Sequence, residues 1–460
     1  MKKILIFIVV AVVAVALLPI VGNKMMQDSI DERIEKLESF GFDVKVSKKE
    51  SSYLETKQHF EFQLKDADKF IIFLNHYSDK QIPPYVKASL EGVVLGTDVE
   101  YSNFPLNKAL SIDIYPLTLS TQMEKNLKHE DVEFFNFLDK FLHSKGALYH
   151  IDYEIVSEEF EGYIRDISEQ YTLKDGTKIY LNLKDASFKG AGDLLAPDSL
   201  ISSIKDLSLD IEDTSTKVVV SIVDLRSSAN FESESTYITA AQMKKFKFSV
   251  TGVGEDFFLR AKELQLNVSS NTQGETAELN AKSSIGQLIA KSERSAVKVE
   301  NFSYDIALSN LDKNAFEKIR VLASDLDQNK RISPQTQKKM QESVIELLSK
   351  GLELNIAQLQ LKSIKVNEKE DLKGFDIKAK LKVKEDLDLA KKLQTSPLSL
   401  VQNVTMNLKL RFSQELYTKI TTGIPSTSLI AKYAKVDNED VVFVIDFVNS
   451  QLTINGKALR

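Results

Sequence analysis

The sequence predicts an α+β protein rich in β-strand, in which an N-terminal transmembrane helix precedes an elongated, curled antiparallel sheet with a few packed helices. Three observations support this prediction. An uncharged apolar run opens the chain, long segments alternate between apolar and polar residues, and Asp-Gly and Asn-Gly pairs stand where hairpin turns are expected. Gly and Pro supply only 17 and 9 of the 460 residues, which excludes collagen-like and low-complexity chains.

The N-terminus has the pattern of a membrane anchor, predicted over residues 1–22. Lys2 and Lys3 precede an uncharged run, residues 4–21, which as an α-helix would extend roughly 27 Å, about the thickness of a hydrocarbon core. A cleaved signal peptide is the alternative, but no A-x-A pattern follows the run, which favours an uncleaved anchor. By the positive-inside rule the lysines face the cytoplasm, so residues 23–460 are expected outside the cytoplasmic membrane.

A membrane-proximal helix is predicted for residues 23–41. Its apolar side chains recur every three or four residues and form one stripe, and Gly41 follows where a C-cap glycine is expected. The stripe could pack on the domain behind it or pair two copies of the chain, and its shortness favours packing. Its members are Met26, Ile30, Ile34 and Leu37.

Alternation of apolar and polar residues runs through most of the remaining chain. It is clear in residues 149–155, 375–383 and 404–412. Such strands have one buried and one solvated face, whereas a parallel strand buried on both faces would be continuously apolar. The sheets are therefore expected to be antiparallel, and Asp175-Gly176 is a strong hairpin signal between two strands.

Helical periodicity interrupts the strands in four places, and no Pro-, Gly- or Ser-rich linker separates compact domains. The predicted organisation after residue 41 is an N-terminal β-rich part, residues 42–309, and a C-terminal part of helices and strands, residues 310–460. Ser333-Pro334 has the pattern of an N-cap followed by the first residue of a helix. The four helical segments are residues 122–143, 311–327, 334–350 and 413–434.

Charge and cysteine content exclude several functions. Sixty Lys and Arg against 66 Asp and Glu give a net charge of −6, which lacks the basic surface that a dedicated nucleic-acid binder needs. The absence of cysteine excludes disulfides, thiolate metal sites and cysteine nucleophiles. The phosphate-loop, nucleophile-elbow and zinc-peptidase motifs are also missing, so no cofactor and no nucleic-acid partner are predicted.

Few histidines or acidic clusters suggest chemistry. His150 and Asp152 lie on one face of a predicted strand, where they could form two metal ligands or an acid–base pair. Without a visible third ligand, the solvated face of a strand is the favoured interpretation. His129 is expected to be solvated as well. Glu158, Glu159 and Glu161 could bind a divalent cation, but they lack a regular ligand spacing. No catalytic, cofactor-binding or metal-binding residue is predicted.

Lysines form the solvated face of the strand at residues 375–383. They could contact anionic head groups of a membrane, or protect an edge strand from aggregation, and the acidic residues that follow favour the edge-strand role. The lysines are Lys378, Lys380, Lys382 and Lys384.

Several short segments follow one another in a characteristic order: Lys2, Lys3 and Gly22, Val44-Lys45-Val46, Leu352-Glu353-Leu354, Lys373-Gly374, and the closing segment Leu452-Thr453-Ile454-Asn455-Gly456-Lys457. Their order resembles the YdgA-like family of bacterial envelope proteins, a domain of unknown function (945). The resemblance implies a protein anchored in the inner membrane, with most of the chain in the periplasm, and carries over no catalytic residue. His76 departs from the family pattern, because Tyr77 and Ser78 follow it where the family often has Gly-Pro.

Three functions are compatible with this sequence. The favoured one is a non-enzymatic protein that binds an envelope partner or maintains the cell envelope. The second is binding or transfer of a lipid or other hydrophobic ligand on a curled sheet whose apolar face the helices leave partly open. The third is a hydrolase whose carboxylates are distant in sequence and meet only in the fold.

Overall fold

The structure, a computed structural model, gives the arrangement of most of the chain. The predicted transmembrane segment, residues 4–21, lies outside the described residues and stays a prediction. No helix within the described ranges combines the length and the apolar composition needed to cross a bilayer. The described residues are 23–24, 26–76, 84–104, 109–194, 196–233, 235–252, 256–324, 333–367, 371–396, 398–422 and 432–459.

The chain divides into two compact units, Met1–Thr214 and Ser215–Arg460. Near residue 310, where the sequence suggested a change from strands to helices, the last long strand of a series ends at Asp312 and a helix begins at Lys313. Both units are built on antiparallel sheets, which confirms the β-rich α+β class and the antiparallel pairing that the alternation predicts.

The first unit contains nine strands and five helices in its described residues. The sheet runs β1-β2-β3-β4-β5-β6-β8-β9, all antiparallel, and β7 pairs with the part of β8 that β6 leaves unpaired. The elements are α1 (26–39), β1 (Phe42–Ser51), β2 (Glu55–Leu64), α2 (Ala67–His76), α3 (Pro84–Leu90), β3 (Val94–Ser102), β4 (Ala109–Thr118), α4 (Thr121–Glu130), α5 (Val132–His143), β5 (Tyr149–Glu154), β6 (Glu159–Ile164), β7 (Ile167–Thr172), β8 (Lys178–Asp193) and β9 (Ala196–Glu212).

Helix α1 packs on one face of this sheet. Met26 and Ile30 are buried against apolar residues of β2, β3 and β5, among them Phe60 and Tyr153, and Ile34 and Leu37 complete the contact. This is the packing role expected of the stripe. The chain leaves α1 through Gly41 with φ of +97°, a left-handed conformation that favours glycine, as the predicted C-cap requires.

The single helix predicted for residues 122–143 is wrong, because Asp131 divides it into α4 and α5. Its backbone is extended, with φ −149° and ψ 93°. Its carboxylate accepts hydrogen bonds from the backbone N–H groups of Glu133, Phe134 and Lys174. This carboxylate satisfies two N–H groups in the first turn of α5 and a third from Lys174. A new helix start at Asp131 is therefore more stable than one continuous helix.

The second unit contains twelve strands and five helices in its described residues. Its sheet runs from β10 to β17 in chain order, continues through β19, β20 and β21, and has β18 beside β19. The elements are β10 (Thr216–Ser233), β11 (Thr236–Gly252), β12 (Phe257–Gln273), β13 (Thr276–Ser292), β14 (Ala296–Asp312), α6 (Lys313–Ser324), α7 (Pro334–Ser349), β15 (Leu352–Val366), β16 (Leu372–Val383), α8 (Leu389–Thr395), α9 (Ser399–Asn403), β17 (Val404–Ser413), α10 (Gln414–Thr421), β18 (Lys435–Asp437), β19 (Asp440–Val448), β20 (Gln451–Ile454) and β21 (Lys457–Ala458).

Two local predictions hold and one does not. Asp175-Gly176 forms the turn between β7 and β8, and Ser333 caps α7 with Pro334 in its first turn. The edge-strand role of the lysines is wrong, because β16 pairs with β15 on one side and β17 on the other. Lys382 instead forms an ion pair with Glu353 of β15 on the solvated face.

Replacing Phe60 with alanine is expected to destabilise the first unit by about 3–5 kcal/mol, because the ring fills the core under α1 and only 2% of it is exposed. Hydrogen–deuterium exchange of the β2 amides should report the loss. Val46→Ala on neighbouring β1 is the control, since 60% of that side chain is exposed. It should change stability by less than about 0.5 kcal/mol. Equal effects of the two substitutions would contradict the packing.

Candidate functional site

A row of polar side chains crosses the first unit on the face opposite to α1. Apolar residues of β2 to β5 point to the helix, so the residues between them lie on the other face. Antiparallel register then aligns one residue from each of seven strands in what we call the polar row. Its members are His59, Asp98, Asp113, His150, Tyr163, Ser187 and Ser203.

Asp98 is the centre of one half of the row. Its carboxylate contacts His59 Nδ1 at 2.5 Å and accepts hydrogen bonds from the Tyr115 hydroxyl at 3.0 Å and Lys145 Nζ at 2.5 Å. Burial opposes ionisation of Asp98, but the bonds from Lys145, His59 and Tyr115 outweigh it and lower its pKa. Burial and the bond to Asp98 raise the pKa of Tyr115, so the phenol stays a donor.

His150 is the centre of the other half. Its Nδ1 lies 2.7 Å from Asp113 Oδ1, and its Nε2 lies 3.2 Å from Asp152 Oδ2. The Tyr163 ring covers one side of the imidazole, with the ring centroids 4.8 Å apart. Burial opposes charging of the ring, but the bonds to Asp113 and Asp152 prevail and raise the pKa of His150.

Lys145 joins the two halves of the row. It lies in the turn after α5 with φ of +56°, and its ammonium is 2.5 Å from Asp98 Oδ2 and 3.7 Å from Asp113 Oδ2. The ammonium also lies 4.5 Å from the centroid of the Tyr115 ring. Beside His150 the face opens into a shallow groove of about 390 Å³, whose lining includes Asp152, Glu161, Tyr163, Lys189 and Ser203.

This geometry favours a structural cluster over a catalytic one. Each nitrogen of His150 faces a carboxylate, which stabilises the charged form of the ring and occupies both nitrogens with partners inside the fold. The hydroxyls of Ser187 and Ser203 bond to each other at 2.9 Å. Across the described part of the chain, no three His, Asp or Glu side chains converge on a point where a metal ion would fit.

Sequence reasoning found part of this cluster. The alternation of β5 predicts that His150 and Asp152 are neighbours on one strand face, and His150 Nε2 lies 3.2 Å from Asp152 Oδ2. Asp98, Asp113 and Lys145 were missed, because they come from other elements and only the pairing of β3, β4 and β5 brings them to His150. The other residues considered lie elsewhere: His129 is exposed at the end of α4, and Glu158 has a positive φ in the turn before β6.

The second unit carries a surface of the opposite character, which we call the apolar face. Register aligns apolar residues of successive strands from β11 to β20, and cross-strand neighbours share a face. Each row contains no charged residue. The first row is Met243, Leu264, Ile285, Phe302, Leu361, Phe375 and Phe412; the second is Ala241, Leu266, Ser283, Tyr304, Leu359, Ile377, Leu410 and Phe443; the third is Thr239, Val268, Ala281, Ile306, Ile356, Ala379, Leu408, Ile445 and Ile454.

Helices cover the apolar face unequally. α10 packs on β16, β17 and β19, where Tyr417 contacts Phe443 with ring centroids 5.8 Å apart, and Phe443 is only 3% exposed. α6 packs on β13 and β14, where Leu311 and Ala277 are buried. In the same row as Phe443, Leu266 of β12 is 41% exposed. One continuous apolar row is therefore covered at one end and open to solvent towards the other.

We expect the pKa of His150 to lie above the ordinary value of 6.5 and to fall in Asp113→Asn and Asp152→Asn. A raised folded-state pKa means that the stabilisation is complete below pH 6.5 and is lost as the pH rises through the folded-state value. Nuclear magnetic resonance titration of the imidazole measures this, and His150→Gln identifies the resonance. A value at or below 6.5 would contradict the ion-paired geometry.

Comparison with known proteins identifies the family. The family model described as "Bacterial protein of unknown function (DUF945)" matches residues 169–460, well over half of the chain. The match includes the whole of the apolar face, whereas the polar row from His59 to Tyr163 precedes it. No curated protein and no solved structure gives a significant match. The predicted membership of the family of unknown function 945 is confirmed, and the chain belongs to the DUF945 family of bacterial proteins.

Proposed function

We propose that this protein is a non-enzymatic, membrane-anchored protein of the bacterial envelope that binds acyl chains of lipids on the apolar face of its second unit. The predicted anchor at residues 4–21 would hold it in the inner membrane, with the rest of the chain in the periplasm. This proposal adopts hydrophobic-ligand binding in preference to the protein partner that the sequence favoured, because the apolar face offers a defined surface for such a ligand.

The observation that carries the proposal is the unequal cover of one apolar row. Phe443 is buried under α10, while Leu266 in the same row is 41% exposed and is flanked by the small residues Ala241 and Ser283. An apolar surface of this kind costs free energy in water, at roughly 25 cal/mol per Å². Contiguous exposed apolar patches usually mark a ligand, membrane or partner site.

The dimensions of the apolar face suit an extended alkyl chain. From β11 to β15, before the strands that α10 covers, the rows cross four inter-strand spacings of about 4.8 Å, or roughly 19 Å. One leaflet of a bilayer contributes about 15 Å of hydrocarbon thickness, so an acyl chain could lie along a row without leaving it. The curvature that the sequence predicts for the sheet would deepen the face into a trough. A membrane anchor would hold the protein at the bilayer, whose lipids carry such alkyl chains.

The other two functions receive less support. The polar row does bring carboxylates together that are distant in sequence, as a hydrolase would require, but Lys145 and His150 neutralise Asp98 and Asp113. An acid–base pair needs one group free to exchange a proton with substrate. A protein partner on the apolar face is the remaining alternative, and the experiment below separates it from lipid.

Photo-crosslinking tests the proposal directly. A benzophenone amino acid placed at position 266 of the full chain in native membranes should form adducts with lipid, detected by mass spectrometry. The matched control is position 238, because Ile238 is an isomer of leucine, is 62% exposed, and lies on the opposite face of the neighbouring strand. It should form few lipid adducts.

Two outcomes would overturn the proposal. Equal lipid adducts at positions 266 and 238 would mean that contact with lipid does not depend on the apolar face. Protein adducts at position 266 in place of lipid would show a partner or a second copy of the chain bound there.

A further inference from the structure

Asn23, just before α1, is held by a partly buried network of polar side chains. Asn23 Nδ2 lies 2.8 Å from Thr56 Oγ1, 2.9 Å from Asn103 Oδ1 and 3.2 Å from Ser51 Oγ. Thr56 and Asn103 are almost completely buried, and Thr56 also donates to Asn103 at 2.8 Å. Buried polar groups that satisfy one another in this way hold a single geometry.

The same network holds the turn between β1 and β2, residues 52–54, which we call the Tyr53 loop. Asn103 donates from Nδ2 to the Ser52 carbonyl at 2.8 Å and from its backbone N–H to the Leu54 carbonyl at 2.7 Å. The loop is therefore fixed, yet Tyr53 is 55% and Leu54 58% exposed. A fixed, uncharged loop with an aromatic and an aliphatic side chain more than half exposed is a candidate contact surface.

Chain continuity identifies that surface. The predicted transmembrane run ends at Val21, two residues before Asn23, and two residues span at most about 7 Å. Asn23 ties the Tyr53 loop to this point, so the loop would lie where the anchor leaves the bilayer. Tyrosine is enriched at that depth, because its ring prefers the apolar side and its hydroxyl the aqueous side of the interface.

We propose that the Tyr53 loop is a second membrane contact, seated in the phospholipid headgroup layer beside the anchor. A groove of about 420 Å³, whose lining includes Lys24, Asp28 and Tyr53, lies at the same place. The exposed ammonium of Lys24 matches the phosphate of a headgroup. This proposal rests on the membrane anchor of the proposed function, but not on lipid binding by the apolar face.

The chain contains no tryptophan, so Tyr53→Trp creates a unique fluorescent reporter. The full chain is reconstituted in vesicles of phosphatidylethanolamine and phosphatidylglycerol with bromine on the acyl carbons nearest the headgroups. Quenching of at least about twofold is expected, since an interfacial ring lies near that depth. Tyr163→Trp, 46% exposed in the groove beside His150, is the matched control and should be quenched far less. Adding Leu54→Asp to Tyr53→Trp should reduce the quenching.

Flotation of the same vesicles separates the two membrane claims. A chain that floats with the vesicles but whose Trp at position 53 is unquenched has an anchor and no second contact, which overturns this proposal alone. A chain that does not float overturns the anchor and this proposal together. Equal quenching at positions 53 and 163 would also overturn the proposal, because the contact would then not be specific to the Tyr53 loop.

Discussion

Cross-strand register is the constraint on which both surfaces of this protein depend. Alternation along one strand only separates two faces, but register decides which residues from different strands become neighbours. In the first unit it places Asp98, Asp113 and His150 side by side. In the second unit it places Leu266 of β12 in one row with Phe443 of β19, six strands further along the sheet. A slip of one residue would turn either row to the wrong face.

The sequence therefore predicts faces better than sites. The alternation of residues 149–155 correctly gave a strand with His150 and Asp152 on one side, because that relation is local. Asp113 reaches His150 only through the pairing of β4 with β5, and Asp98 through the pairing of β3 with β4. Lys145 depends in addition on a positive φ in the turn after α5, which no periodicity records.

The errors have the same origin. The apolar stripe of residues 122–143 fits one helix. The chain breaks at Asp131 because its carboxylate caps α5 and also accepts a hydrogen bond from Lys174 N–H, 43 positions away in sequence. The lysines of β16 fit an edge strand equally well in sequence. The distinction between an edge and an interior strand is made by β15 and β17, which pair on either side.

The two surfaces differ in how much capacity for binding they retain. In the polar row, Asp98 and Asp113 each contact two partners, a lysine ammonium and a histidine ring. Their carboxylates therefore already form their favourable interactions within the fold. On the apolar face the cover provided by α10 ends at one side, and the remaining row keeps apolar area in contact with water. Binding of a ligand is favourable where it removes apolar surface of the protein from water. For this reason we expect a ligand to bind more favourably to the apolar face than to the titratable side chains around His150.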